Sequence, residues 1–349
     1  MIKIIKSFVT LGKLLSEFKN IYKKKYRYTY FNKFFVEFES LLTKKQWFLK
    51  EDLIISFDYW SKVLKKDKIE SWIEKYPINR NQKNVLVIMP GNIPMAGFHD
   101  LLCVILSGNN IIIKLSEKDN IIIPIICRIL INENSSIKNK IKFTKNFLNE
   151  KYDCVIATGN NNSFRYFNFF FLKKNIPSLI RKNRISISVL QGNENKNDLL
   201  NLSKDILYYY GRGCRNVGKI FIPYNYNIDL ILKSSYICRY VKKNRKYMNN
   251  YKYYKSIFIM NKINFFKNEF LILKKEKKYN SPISILYYEF YKNLENLKKN
   301  IYNYHKNIQC IISKNFIKEE IHFGTSQYPK LEEYPDKIDT IKFLNKLIK

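Results

Sequence analysis

Cys214 is the residue best placed for chemistry. It stands in GRGCRNVGKIFIP, between Gly211 and Gly213, which let backbone approach a ligand closely, and beside Arg212 and Arg215. Such cations lower a thiol pKa and raise its thiolate fraction. The cysteine opens a strand rather than filling an apolar stripe; a buried structural thiol is the plainer alternative. Next comes PGNIP, residues 90–94. Two prolines and a glycine around Asn92 at a strand end hold its amide rigidly. An amide so fixed suits an oxyanion, and such donors are worth about 3–4 kcal/mol in acyl chemistry. An ordinary strand-to-helix turn has the same composition. Lys114 and Ser116, in IIIKLSEK, could hold phosphate or ribose, or belong to a solvated loop. TGNNNS, residues 158–163, opens a helix whose N–H groups and hydroxyls can take a pyrophosphate, although it is not G-x-G-x-x-G. His99, His305 and His322 have no Asp or Glu placed for a triad.

These residues need elements to position them. Residues 84–89 (NVLVIM), bounded by Pro90 and Gly91, read as a buried parallel strand. A helix over GFHDLLCVILSG follows, then strands at 111–116 and 140–144 with a helix through IIIPIICRILI between them. Asp119 is its expected cap and Pro124 lies in its first turn. Residues 153–159 form a fourth strand leading into a helix through FRYFNFFF, and 185–190 a fifth and last. Strands alternating with helices predict a doubly wound α/β sheet with ligands at the C-terminal ends of its strands. A helix over 198–211 ends at Gly211. Strands are expected after Cys214, at YYKSIFIM, at SPISILYYEF and at QCIIS. Before residue 80 the spacing predicts amphipathic helices at 31–42 and 60–76.

With 349 residues, about two domains are expected, and 46% hydrophobic residues suffice for a sizeable core. The net charge of +34 would ordinarily point to nucleic acid or an anionic surface. The lysines, however, run along the whole chain, and only 10 of the 63 basic residues are Arg, the residue that reads bases bidentately. With 41 Asn and two Ala, the composition reflects A+T-rich codons as much as selection. No specific nucleic-acid partner is therefore expected, although the field would help collect polyanionic cofactors. Six cysteines form neither C-x-x-C nor zinc spacing, so no metal is expected. No apolar run approaches the ~20 residues of a membrane span, and the N-terminus lacks a cleavage site. A reducing, cytoplasmic setting is the expectation.

Taken in order, G-N-x-P, K-L-S, T-G-N, G-x-G-C and F-G-x-x-Q resemble the aldehyde dehydrogenase superfamily, and within it the acyl-CoA reductases of LuxC type. The stretches carrying this resemblance span about 84 to 344. It implies an aldehyde dehydrogenase-like α/β fold with a Rossmann-type cofactor domain, an α/β catalytic domain and a helical N-terminal region. It further implies that Cys214 is the nucleophile, and that Asn92 and the Cys214 amide hold the oxyanion. Lys114 and Ser116 would take the adenine ribose and, for NADPH, its 2′-phosphate. Thr158, Gly159 and Ser163 would form the pyrophosphate turn. The Glu that serves the oxidising enzymes as hydrolytic base falls near Val189, with Glu194 beyond the glycine. The Glu that grips the nicotinamide ribose falls on Lys278, in KYNSP.

The resulting expectation is NADPH-dependent reduction of a fatty acyl-CoA to an aldehyde through a cysteine thioester, with NADH as the other cofactor choice. An oxidising aldehyde dehydrogenase, a basic nucleic-acid binder and a decayed paralogue are the alternatives. The expected domains are a helical region (1–80), a nicotinamide-dinucleotide domain (81–205), a catalytic domain with Cys214 (206–315) and a C-terminal segment (316–349) that packs back or mediates a homo-oligomer.

Overall fold

The structure, a computed structural model, describes residues 1–23, 34, 36–38, 48–77 and 81–346. The helix expected at 31–42 lies largely outside them. Contacts divide the chain into two compact units, 1–183 with 330–349, and 184–329.

The first unit begins with helix α1 (Ile2–Lys23), α2 (Lys50–Val63) and α3 (Lys66–Ile73). The single helix expected over 60–76 is thus two helices, broken at Leu64 and Lys65. β1 (Asn84–Ile88), α4 (Phe98–Leu106), β2 (Asn110–Lys114), α5 (Ile122–Glu133), β3 (Ile141–Thr144), β4 (Cys154–Thr158), α6 (Asn161–Lys173) and β5 (Ser178–Arg181) follow. The N-cap of α5 is Ile121, which has no side-chain cap, rather than the expected Asp119; Asp119 lies two residues earlier and accepts the N–H of Ile122, and Pro124 is the third residue of the helix. The five strands form an all-parallel sheet in the order β3-β2-β1-β4-β5. Strands covered on both faces carry continuous apolar runs, and VLV of β1 is fully buried. Leu86, Ile112, Val155, Ala157 and Phe171 form one core cluster. Full burial of a side chain such as Leu86 or Phe171 contributes roughly 1.5–3 kcal/mol.

The N-terminal helices brace this sheet. Trp60 meets Phe98 of α4 edge-on at 4.6 Å, and Phe18 meets Phe57 at 4.8 Å. The tail returns to the same unit through α11 (Thr340–Lys346), where Thr340 accepts from Arg181.

The second unit holds β6 (Ile185–Val189), α7 (Lys196–Leu207), β7 (Val217–Pro223), α8 (Asp229–Ser234), α9 (Arg245–Met260), β8 (Phe266–Lys267), β9 (Ile272–Lys275), β10 (Ile285–Tyr291), α10 (Leu294–Tyr304) and β11 (Ile308–Ile312). Its sheet runs β11-β6-β7-β10-β9-β8, parallel except for β8 against β9. Ile187, Val189, Phe221, Leu297, Ile301 and Ile308 pack into one core cluster, with Tyr251, Phe258, Ile272 and Ile285 in another.

Three departures from the sequence reading have physical causes. The strand at 185–190 belongs to the second sheet. Three residues separate it from β5, whereas a return to the same sheet in parallel needs a crossover of a dozen or more. The division of contacts accordingly falls at 183/184 rather than at 205/206, and at 329/330 rather than at 315/316. YYKSIFIM, expected as a strand for its aromatic and β-branched content, lies in α9. Asn244 caps that helix by accepting the Tyr247 N–H, and Tyr247, Tyr251 and Phe258 are its buried face, at helical spacing.

Candidate active site

The β1 strand ends in Met89, Pro90, Gly91 and Asn92. Met89 N–H donates to Lys114 O at 3.0 Å, which keeps β1 and β2 in register to their ends. A Cβ at Gly91 would lie 2.7 Å from Ser116 Oγ, so this position requires glycine for the two loops to meet. The far side of the loop is held from α2, where Ser56 Oγ donates to Pro94 O in a buried bond. Met95 then takes φ 59° and Phe98 opens α4. Asn92 is thereby carried, half-buried, on a loop fixed at both ends.

Lys114 ends β2 directly beside Ile88, its partner in register, and Ser116 lies two residues on; both are half-buried. Thr158 ends β4 opposite Arg181, and Gly159 N–H donates to Arg181 O at 3.3 Å. Asn160 caps α6 by accepting the Ser163 N–H at 2.8 Å. Asn92, Lys114, Ser116, Thr158, Gly159 and Ser163 therefore gather at one edge of the first sheet, the C-terminal ends of β2, β1 and β4. The chain leaves β1 for β2 on one side and later returns to β4 on the other. That reversal is where open α/β sheets bind nucleotides, and the first turn of α6 presents N–H groups there of the kind that hold a pyrophosphate. The donors present, three hydroxyls, an ammonium and a helix N-terminus, fit a dinucleotide.

In the second unit, Cys214 occupies a turn between α7 and β7, so it precedes the strand by three residues rather than opening it. All six cysteines are described, and five are buried while Cys214 is partly exposed. Burial pushes the thiols of Cys127, Cys154 and Cys238 up to about 12, and that of Cys103 well above the ordinary range. Those four stay protonated at neutral pH. The Cys214 carbonyl accepts from Ser186 Oγ at 2.9 Å. Arg215 donates through Nη1 to the Cys310 thiol at 3.3 Å, an interaction its spacing from Cys214 did not suggest.

The approach to this turn is unusual. Tyr209, Tyr210 and Gly211 all have positive φ, 51°, 62° and 71°. A non-glycine residue in that region costs of order 1–3 kcal/mol and persists only where its surroundings enforce it. Here both tyrosines are buried. Asn216, 4% exposed, donates through Nδ2 to Asp205 O and Tyr208 O, each at 2.9 Å, and accepts the Gly213 N–H at 2.8 Å. Asp205 in turn accepts the N–H groups of Gly324 and Ser326. Its burial raises the carboxyl to about 6, against the opposing pull of those hydrogen bonds.

The sequence model of the acyl-CoA reductase (LuxC) family matches residues 36–232, more than half of the chain. The chain belongs to the LuxC acyl-CoA reductase family. Among solved structures it is similar to indole-3-acetaldehyde dehydrogenase of P. syringae in complex with NAD+, with a TM-score of 0.64 and 10% identity, covering 93% of this chain and 74% of that one. Aldehyde dehydrogenase 21 of Physcomitrella patens, with its reaction product succinate, gives 0.64 and 11% identity, covering 99% and 84%. The substrate-bound AldH of Staphylococcus aureus gives 0.56 and 14%, covering 89% and 75%. The architecture is therefore the aldehyde dehydrogenase fold, as expected. A curated relative, protein Ycf2 of Physcomitrium patens, is 26% identical over 257 residues, 61% of this chain; the chain spans 11% of that protein's length.

Within this family frame, two departures noted in the sequence acquire surroundings. Val189, near the position of the oxidising enzymes' base, is wholly buried in the second unit's core. Glu194 accepts the N–H groups of Gln191 and Gly192 and so caps its own loop. The segment holding Lys278 is anchored by Lys219, a buried lysine of β7 that donates to Glu276 O, Lys277 O and Glu289. Ser186, Asp205, Asn216 and Lys219 were not singled out from sequence. Ser186, Asp205 and Lys219 act through backbone groups distant in the chain, and only Asn216, two residues after Cys214 and bonded to groups 3 to 11 residues away, left a local signal. Among the described residues no helix is long and apolar enough to cross a membrane.

Proposed function

We propose that this chain reduces an acyl-CoA to the corresponding aldehyde through a thioester on Cys214, with NADPH as the preferred cofactor and NADH as the alternative. The observation that carries the reading is the pairing of a partly exposed cysteine on a tightly bonded turn with a buried valine near the hydrolytic position. A thioacyl enzyme so placed has no carboxylate at that position to activate water, which favours reduction over oxidation.

In this reading the Cys214 thiolate attacks the thioester carbonyl. The Cys214 N–H donates to the oxyanion, and the family resemblance gives Asn92 the role of side-chain donor. Ser186, by holding the Cys214 carbonyl, fixes the turn that presents this N–H. Collapse expels the CoA thiolate; a thiol of pKa about 8.5 leaves with little acid assistance at neutral pH. Thr158, Gly159 and Ser163 would hold the pyrophosphate, and Lys114 and Ser116 the adenine ribose with its 2′-phosphate. When bound, the nicotinamide supplies a hydride to the thioacyl carbonyl. The second collapse releases aldehyde and returns Cys214 as thiolate, so no proton is needed to reset the nucleophile.

The test is cofactor oxidation, followed by absorbance, with acyl-CoAs of increasing chain length, beside Cys214→Ala. The reading predicts turnover that vanishes in the variant. Turnover that survives would give the nucleophile's role to another residue, and folded wild-type protein without turnover would favour a non-catalytic role.

A further inference from the structure

Outside the groups already assigned a role, the strongest constellation is the hydrogen-bonded system behind Cys214. Asn216 makes both ends of its turn. Its Oδ1 receives Gly213 N–H, its own N–H donates to Gly213 O at 3.0 Å, and its Nδ2 reaches back to Tyr208 O and Asp205 O. These bonds straddle the left-handed run at residues 209–211 and close it against the end of α7. Behind them, the Asp205 carboxylate takes Gly324 N–H at 2.6 Å and Ser326 N–H at 3.1 Å, in the FGTSQ segment that the sequence placed near the end of its motif series. Both Asp205 and Asn216 are almost wholly buried.

We propose that Asn216 is a positioning residue for Cys214, and that Asp205 makes the aim of the thiol depend on the seating of residues 323–327. This rests on the reading of Cys214 as nucleophile. A helix end alone would not hold three residues at positive φ, and a free turn would let the thiol swing. The amide of Asn216 supplies an acceptor to one side of the turn and two donor contacts to the other, which neither Asp nor Ala reproduces.

The experiment uses the full chain with Asn216→Ala and Asp205→Asn. The second variant removes a carboxylate that burial disfavours and keeps one of the two acceptor oxygens for the Gly324 and Ser326 N–H groups, so it is the milder change. Three quantities are read: kcat with acyl-CoA, KM for NADPH, and the rate at which iodoacetamide alkylates Cys214 as a function of pH. Misaiming a nucleophile by about 1 Å costs on the order of 100-fold in rate. The expected result is a kcat lower by about 10- to 100-fold in Asn216→Ala, by less in Asp205→Asn, with NADPH KM unchanged and the alkylation profile altered in both. A merely structural role would lower the melting temperature and leave kcat per folded molecule and the alkylation profile as in wild type, and that result overturns the proposal. If Asn216→Ala fails to fold, Asp205→Asn decides by the same readouts. A wild-type protein without reductase turnover would count against the functional reading, while the alkylation profiles would still test the positioning.

Discussion

The Asp205 carboxylate accepts the backbone N–H of Gly324 at 2.6 Å, joining the helix that precedes the Cys214 turn to a segment 119 positions later. Burial makes this carboxylate costly to ionise and outweighs the pull of its backbone donors, so the carboxyl rises from 3.8 to about 6.

That shift sets a pH dependence of stability. The folded protein keeps the Asp205 proton to higher pH than the unfolded chain, so ionisation works against the fold. The favourable contribution is complete below about pH 4, is lost as pH rises to about 6, and is constant above. Two units correspond to about 3 kcal/mol. Denaturant unfolding across that window should show a falling slope in wild type that Asp205→Asn lacks. An equal slope in both would assign the dependence to other groups.

In the first unit, Arg181 donates through Nη1 to both oxygens of Asp100, at 2.8 and 2.6 Å, and through Nη2 to Thr340. Both members of the pair are about 95% buried or more. Removing one partner of such a pair leaves the other charge uncompensated, so Arg181→Met should cost about 3–5 kcal/mol. Adding Asp100→Leu should recover much of that loss. A cost like that of an exposed pair, about 1 kcal/mol or less, would contradict this account of how the tail is held.

Gly159 tests the cofactor assignment. A Cβ there would fall 2.6 Å from Ser163 Cβ and displace the start of α6. Gly159→Val should weaken NADPH binding by about tenfold or more, equivalent to 1.4 kcal/mol, in a fluorescence titration, with Cys214 alkylation unchanged. Undiminished binding would move the pyrophosphate away from this turn.

Much of this architecture was legible in the sequence because a strand buried on both faces writes itself as a continuous apolar run. NVLVI, NIIIK and CVIAT all appear close to their expected bounds. The sequence also placed Asn92, Lys114 and Thr158 at strand ends, where the sheet order now gathers them. What stayed hidden depended on pairing across distance. SLIR of β5 is too short to stand out, and ISISV is apolar in either sheet. The length of its connection, not its composition, decides where it goes. Aromatic content disguised α9 because tyrosines serve a helix face as well as a strand. The clamp around Cys214 was invisible for a related reason: Asn216 and Asp205 act on main-chain atoms, which every residue carries.

The central claim is a covalent acyl-enzyme on Cys214. Its most direct test is intact-protein mass measurement after incubation with a long-chain acyl-CoA without nicotinamide cofactor, with peptide mapping of any adduct. The account predicts one acyl group per chain, carried on the 214 thiol, absent in Cys214→Ala and discharged as aldehyde when NADPH is added. No adduct, or an adduct on another residue that turns over normally, would contradict it.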